Sequence, residues 1–160
     1  MDKYLFYRRN LPHYSVTEKL TFVTFDTLNG RRLPPGAHTL ALRHAIHEHG
    51  SSIWMRVALV MPDHVHLIFA VLGSLALPGI MQGIKGVSSR RINQLLGRKG
   101  PLWQDESFDH VVRNYEWSQR KVDYVCQNPV RAGLVKCPDD YPWLWRSWVE
   151  GGDRGSLPAR

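Results

Sequence analysis

Residues 53–72, IWMRVALVMPDHVHLIFAVL, read as two apolar strand runs, 53–61 and 64–72, with Pro62-Asp63 between them as a tight turn. A hairpin of this length has two faces to cover, so helices are expected on either side of it in sequence. N-terminal to it, residues 37–49 place Ala37, Leu40, Ala41, His44, Ala45 and Glu48 at helical spacing, with Gly50 as a stop. C-terminal to it, residues 78–96 carry Ile80, Ile84, Val87, Ile92 and Leu95 on one side and Lys85, Arg90, Arg91 and Gln94 on the other. Gly97 to Gly100 ends that helix. Outside the helices lie a β-branched and aromatic strand at 19–28, closed by Asn29-Gly30, and a short strand at 107–112. The order β-α-β-β-α-β is the split βαβ, or ferredoxin-like, pattern of an α+β protein: an antiparallel sheet with helices on one face. A third helix, 115–128, is expected to stop at Pro129, and an aromatic tail follows. One domain over residues 1–150 and a flexible tail over 151–160 are expected.

The 160 residues hold 21 Lys and Arg against 14 Asp and Glu, a net charge of +7, which points to an anionic partner. Two cysteines, Cys126 and Cys137, make neither a disulfide framework nor a thiolate zinc site. No run reaches the ~18 apolar residues of a membrane span, and no leader pattern precedes residue 20, so a cytoplasmic protein is expected.

His64 and His66 flank Val65 within a strand, so both imidazoles point to one face. Imidazole pairs of this kind bind many divalent metals, and a lone pair is also a common accident of composition. On the third helix Tyr124 and Asn128 stand at i and i+4, so phenol and amide share a face. A metal bound to the two histidines and the Asn128 amide would keep open positions for a phosphate oxygen, which the Tyr124 phenol would then attack. Equally, Tyr124 can be a core aromatic of an amphipathic helix. A small zinc hydrolase is the weakest alternative, because no further His or carboxylate sits at a recognisable ligand spacing.

Three stretches, VMPDHVHLIF (60–69), LWQDESFDHVVR (102–113) and YVCQNPVRAGLV (124–135), resemble the signatures of the REP-associated tyrosine transposases, relatives of the single-tyrosine HUH and IS200-like transposases. RRNLPHY (8–14) and FVTFDTL (22–28) resemble the N-terminal pattern of that family, so the likeness spans roughly residues 8–148. The resemblance implies metal-dependent cleavage and joining of single-stranded DNA, with His64, His66 and Asn128 holding Mg²⁺ or Mn²⁺ and Tyr124 forming a 5′-phosphotyrosine link. The wider group more commonly has Gln four residues after its tyrosine. Tyr115 and Gln119 reproduce that spacing, but the NPVRAGLV context attaches to Tyr124. The implied partner is a palindromic repeat folded as a hairpin with an unpaired foot, bound by a monomer or homodimer. Arg8, Arg9, Lys85, Arg90, Arg91, Arg98 and Lys99 are expected to contact its phosphates, and Trp103 to stack an unpaired base. Asp109 and His110 are candidates for support of the site. A repeat-binding protein without turnover is the alternative of a different class.

Overall fold

The computed structural model describes residues 20–112 and 115–149. In chain order it holds β1 (Leu20–Asp26), α1 (Pro35–Ile46), β2 (Ile53–Val60), β3 (His64–Val71), α2 (Leu77–Leu96), β4 (Phe108–Val112), α3 (Tyr115–Arg131) and β5 (Leu144–Arg146). The strands form one sheet in the order β4-β1-β3-β2-β5, and every neighbouring pair is antiparallel. β3 therefore lies between β1 and β2, the arrangement expected for a split βαβ unit.

The period-two alternation of β3 sorts the protein into two cores. Val65, Leu67 and Phe69 face the layer of α1 and α2, where they meet Leu42, Ile46, Ile84 and Ile92. Ile68 and Ala70 face the opposite layer, where α3 supplies Val122, Val125 and Cys126. The third helix thus covers the sheet face that the first two leave open. At a bulge between Met55 and Val57, Arg56 is fully buried and donates from Nη1 to Ser118 Oγ at 3.2 Å, which ties β2 to α3.

Beyond shifts of a residue or two at strand and helix ends, the structure departs from the sequence reading in α1, in α3 and in the aromatic segment. α1 ends at Ile46 rather than at residue 49, because the backbone turns early into β2: His49 Nδ1 accepts the Met55 N–H at 2.9 Å and Gly50 N–H bonds to Ile53 O at 2.8 Å. The buried stripe of α1 is also rotated, with Ala37, His38, Ala41, Leu42, Ala45 and Ile46 inward. α3 runs through Pro129 to Arg131, and the stop is Gly133 at φ +74°, whose N–H bonds to Val130 O at 2.9 Å. Proline costs the helix one donor without ending it. Finally, the aromatic segment contains a fifth strand on the edge of β2. Trp145 is buried there, Tyr141 donates its hydroxyl to Val60 O at 2.7 Å, and Trp143 donates to Thr39 Oγ1 at 3.1 Å. The tail expected over 151–160 lies outside the described residues. Cys126 and Cys137 are free thiols, the first buried and the second exposed.

Candidate functional site

His64 and His66 project from β3 on the α3 side of the sheet, their ring centroids 4.8 Å apart and their planes at 77°. Across the β1–β3 ladder His66 pairs with Thr24 and His64 with Asp26. Thr24 Oγ1 lies 2.7 Å from His66 Nδ1, and the His66 ring stacks on Phe22 at 5.6 Å and 23°. Burial pushes the His66 imidazole down to about 3, helped by the positive charges of His64, Arg131 and Lys121. It is therefore neutral at physiological pH, the form that binds metals. His64 is partly exposed and its Nδ1 lies 2.7 Å from Asp63 Oδ1. With both Nδ1 atoms engaged, Nε2 of each ring is the nitrogen left for a ligand.

α3 brings Tyr124 to His66. The Tyr124 ring is half exposed, with its centroid 6.3 Å from that of His66. Arg131 sets its guanidinium against the same ring, Cζ at 4.2 Å from the centroid, and Nη2 donates to the Tyr124 carbonyl at 2.6 Å. Lys121 Nζ stands 6.0 Å from the same ring and 5.0 Å from Phe22. Asn128, half-buried, lies one turn beyond Tyr124 and accepts the Ala132 N–H at 2.9 Å, so it sits inside the helix and not at a frayed end. Tyr115 opens α3 and its side chain lies outside the described residues; nine residues before Tyr124, it is about 13 Å back along the axis. The amide of Gln119 is buried.

Among the described residues no group of three or more His, Cys, Asp or Glu side chains can hold a metal ion. His64 and His66 offer two imidazoles side by side and Asn128 lies one turn beyond Tyr124 on α3; imidazole and amide donors suit a borderline or hard divalent ion that keeps water and substrate as its other ligands. That chemistry fits Mg²⁺ or Mn²⁺ bound with modest affinity. Asp109 and His110 are exposed on the edge strand β4, where His110 pairs in register with Phe22.

The expected DNA contacts are not gathered here. Lys85, Arg90 and Arg91 belong to α2, and Arg98 and Lys99 follow it, so the sheet lies between them and the histidines. Arg90, Arg91 and Lys99 are exposed. Lys85 is committed to the chain itself: Nζ bonds to Gln104 O at 2.5 Å, Asp105 O at 3.1 Å and Ser107 Oγ at 3.2 Å. Arg98 likewise holds Asn93 Oδ1 at 2.7 Å and Pro101 O at 3.3 Å. These two bind the loop before β4 to α2. Trp103 corrects the sequence reading outright. Only 5% exposed, it packs edge-on to Phe25 at 4.9 Å and gives its indole N–H to Ser88 Oγ at 3.0 Å, so it belongs to the core and no base can stack on it. Arg8 and Arg9 lie outside the described residues.

Thr24, Phe22, Lys121 and Arg131 were missed in the sequence. The last two stand three before and seven after Tyr124, spacings that share a helix face and were open to reading. Thr24 carried no such signal, because its partner is 42 residues away.

Comparison with known proteins agrees with the likeness read from the motifs. A protein-family model described as "Transposase IS200 like" matches residues 38–127. The REP-associated tyrosine transposase of Escherichia coli (strain K12) is 29% identical over 145 residues, covering 86% of this chain and 79% of that protein. A solved structure of a REP-associated tyrosine transposase bound to a REP hairpin superimposes with a TM-score of 0.67 at 26% identity, over 93% of this chain and 88% of the other. No described helix is long and apolar enough to cross a membrane.

Proposed function

The chain belongs to the IS200-like transposase family, and we propose that it cuts and rejoins single-stranded DNA at the foot of a palindromic-repeat hairpin through a covalent tyrosine intermediate. The observation that carries this reading is the approach of Tyr124 to His66, ring centroids 6.3 Å apart, with Arg131 and Lys121 on the same phenol. The hairpin as substrate is taken from the relative whose structure holds one.

In the reaction, Tyr124 Oη attacks the scissile phosphorus and the bond from phosphorus to the 3′ oxygen breaks. The 5′ side stays on Tyr124 as a phosphodiester, the phenolic proton is lost to solvent, and the 3′ oxygen leaves as a hydroxyl. Attack by another 3′-hydroxyl reverses the step and joins strands. His64, His66 and Asn128 would hold Mg²⁺ or Mn²⁺, which when bound would supply polarisation of the phosphate. Thr24 and Asp63 keep the imidazoles oriented through Nδ1, and Phe22 holds the His66 ring flat.

The test is a labelled hairpin with an unpaired flank, incubated with Mn²⁺ or Mg²⁺ and resolved in SDS. The wild-type protein should form a stable protein–DNA adduct; Tyr124→Phe should lose it while binding the hairpin as before, and Tyr115→Phe should keep it. EDTA should stop cleavage and spare binding. An adduct that survives in Tyr124→Phe and disappears in Tyr115→Phe would move the nucleophile to the start of α3 and make Gln119 the third ligand.

A further inference from the structure

Lys121, Tyr124 and Arg131 form one row on α3, and the row is held together by more than spacing. Arg131 grips Tyr124 twice, by its guanidinium on the ring at 4.2 Å and by its bond to the carbonyl at 2.6 Å. Lys121 is steadied over Phe22 at 5.0 Å while facing the same phenol. Both charges also act on His66 from the helix side. Two cations thus stand 4.2 and 6.0 Å from one phenol ring, and like charges held this close together are unfavourable unless an anion joins them. Asp63, beside His64, is already bonded to that ring.

We propose that Lys121 and Arg131 form a seat for the non-bridging oxygens of the phosphate that Tyr124 attacks, and that the seat holds this phosphate with or without a metal ion. The proposal rests on the reading of Tyr124 as the nucleophile. A guanidinium that gives one N–H to the Tyr124 carbonyl has others to offer phosphate oxygens, and the lysine adds a point charge beside the same ring. Because Arg131 is fixed to Tyr124 itself, a phosphate on the seat and the attacking oxygen are carried by one rigid unit, which lowers the entropy cost of bringing them together.

The experiment measures binding in EDTA, in the Tyr124→Phe protein, to flanked hairpins that carry one uncharged methylphosphonate at each flank position in turn. Arg131→Gln and Lys121→Gln should each weaken binding of unmodified DNA by roughly ten- to a hundred-fold, the range for a bond to a charged group. At one flank position the methylphosphonate should cause the same loss in the parent and almost no further loss in either variant. That position should be the one at which the protein with Tyr124 intact forms its adduct. Lys136→Gln, exposed beyond the helix, should add its small loss equally at every position. Arg131→Lys, which keeps the charge, should restore part of the coupling, and Lys121→Gln carries the test alone if Arg131→Gln fails to fold. Additive losses at every position would refute the seat while leaving the covalent reading intact, and coupling at a phosphate other than the cleaved one would refute it too. Coupling without any adduct from the active protein would sink the nucleophile reading and leave the pair as a phosphate site only.

Discussion

Replacing Thr24 by Val exchanges a hydroxyl for a methyl of similar size and removes the hydroxyl that lies 2.7 Å from His66 Nδ1. His66 is 7% exposed, so water does not readily take the place of that hydroxyl. A buried polar atom stripped of its partner costs about 1–3 kcal/mol. For a chain of this size each kcal/mol is worth roughly 2–4 °C in Tm, so about 2 kcal/mol should lower Tm by about 6 °C in the metal-free protein. The second consequence is chemical. When Nδ1–H donates to Thr24, the lone pair of Nε2 is fixed toward the site; without the hydroxyl the tautomer is no longer selected, and loss of such an orienting group typically costs ~10–100-fold in metal affinity. Thr24→Ser keeps the oxygen and should recover most of both losses. Thermal unfolding in EDTA reads the first effect, and calorimetric titration with Mn²⁺ reads the second. Equal Mn²⁺ affinity in wild type and Thr24→Val would refute the orienting role, as would a Thr24→Ser protein no better than the valine variant.

Burial pushes His38 down to about 4 and His66 to about 3, against about 6.5 for free imidazole. Between pH 6.5 and 4 these two rings therefore bind up to two more protons in the unfolded chain than in the folded one, with His44 shifted in the same direction, and stability should fall as pH drops through that window by up to about 1.4 kcal/mol per pH unit per histidine. Tm measured from pH 7.5 to 4.5 should show this, His38→Phe should flatten the slope by about half, and a flat wild-type profile would overturn the account of both rings. Trp103→Phe should cost about 1–3 kcal/mol through the lost Ser88 bond and the space left beside Phe25, with hairpin affinity unchanged below the transition. Weaker hairpin binding at unchanged Tm would return Trp103 to the DNA.

What could be read from the sequence divides along the reach of each interaction. The orientation of His64 and His66 to one face follows from alternation within a single strand, and the row of Tyr124 and Asn128 follows from one helix, so both were legible. Right-handed crossovers place α1 and α2 on one side of the sheet. The more apolar set of β3, Val65, Leu67 and Phe69, belongs under those two helices, which leaves the histidines on the opposite side and α3 to cover them. The same reasoning takes the basic groups of α2 away from the histidines, a step the helix periodicity alone never supplies. What remained closed was pairing across distance. Part of the inward stripe of α1 faces Trp143, which meets His38 at 4.6 Å and Thr39 from 104 residues away. Trp103 and Tyr124 each stand between one apolar and one polar neighbour, Leu102 and Gln104 for the first and Val125 and Asp123 for the second, so nearest neighbours do not separate them. Trp103 is drawn inward by a bridge to Thr27 at the end of β1, whereas Tyr124 faces outward from a helix whose other side is already filled by Val122, Val125 and Cys126. A tyrosine denied the core by its own helix meets Arg131, Lys121 and His66 outside it, set there by the same packing that buries its neighbours.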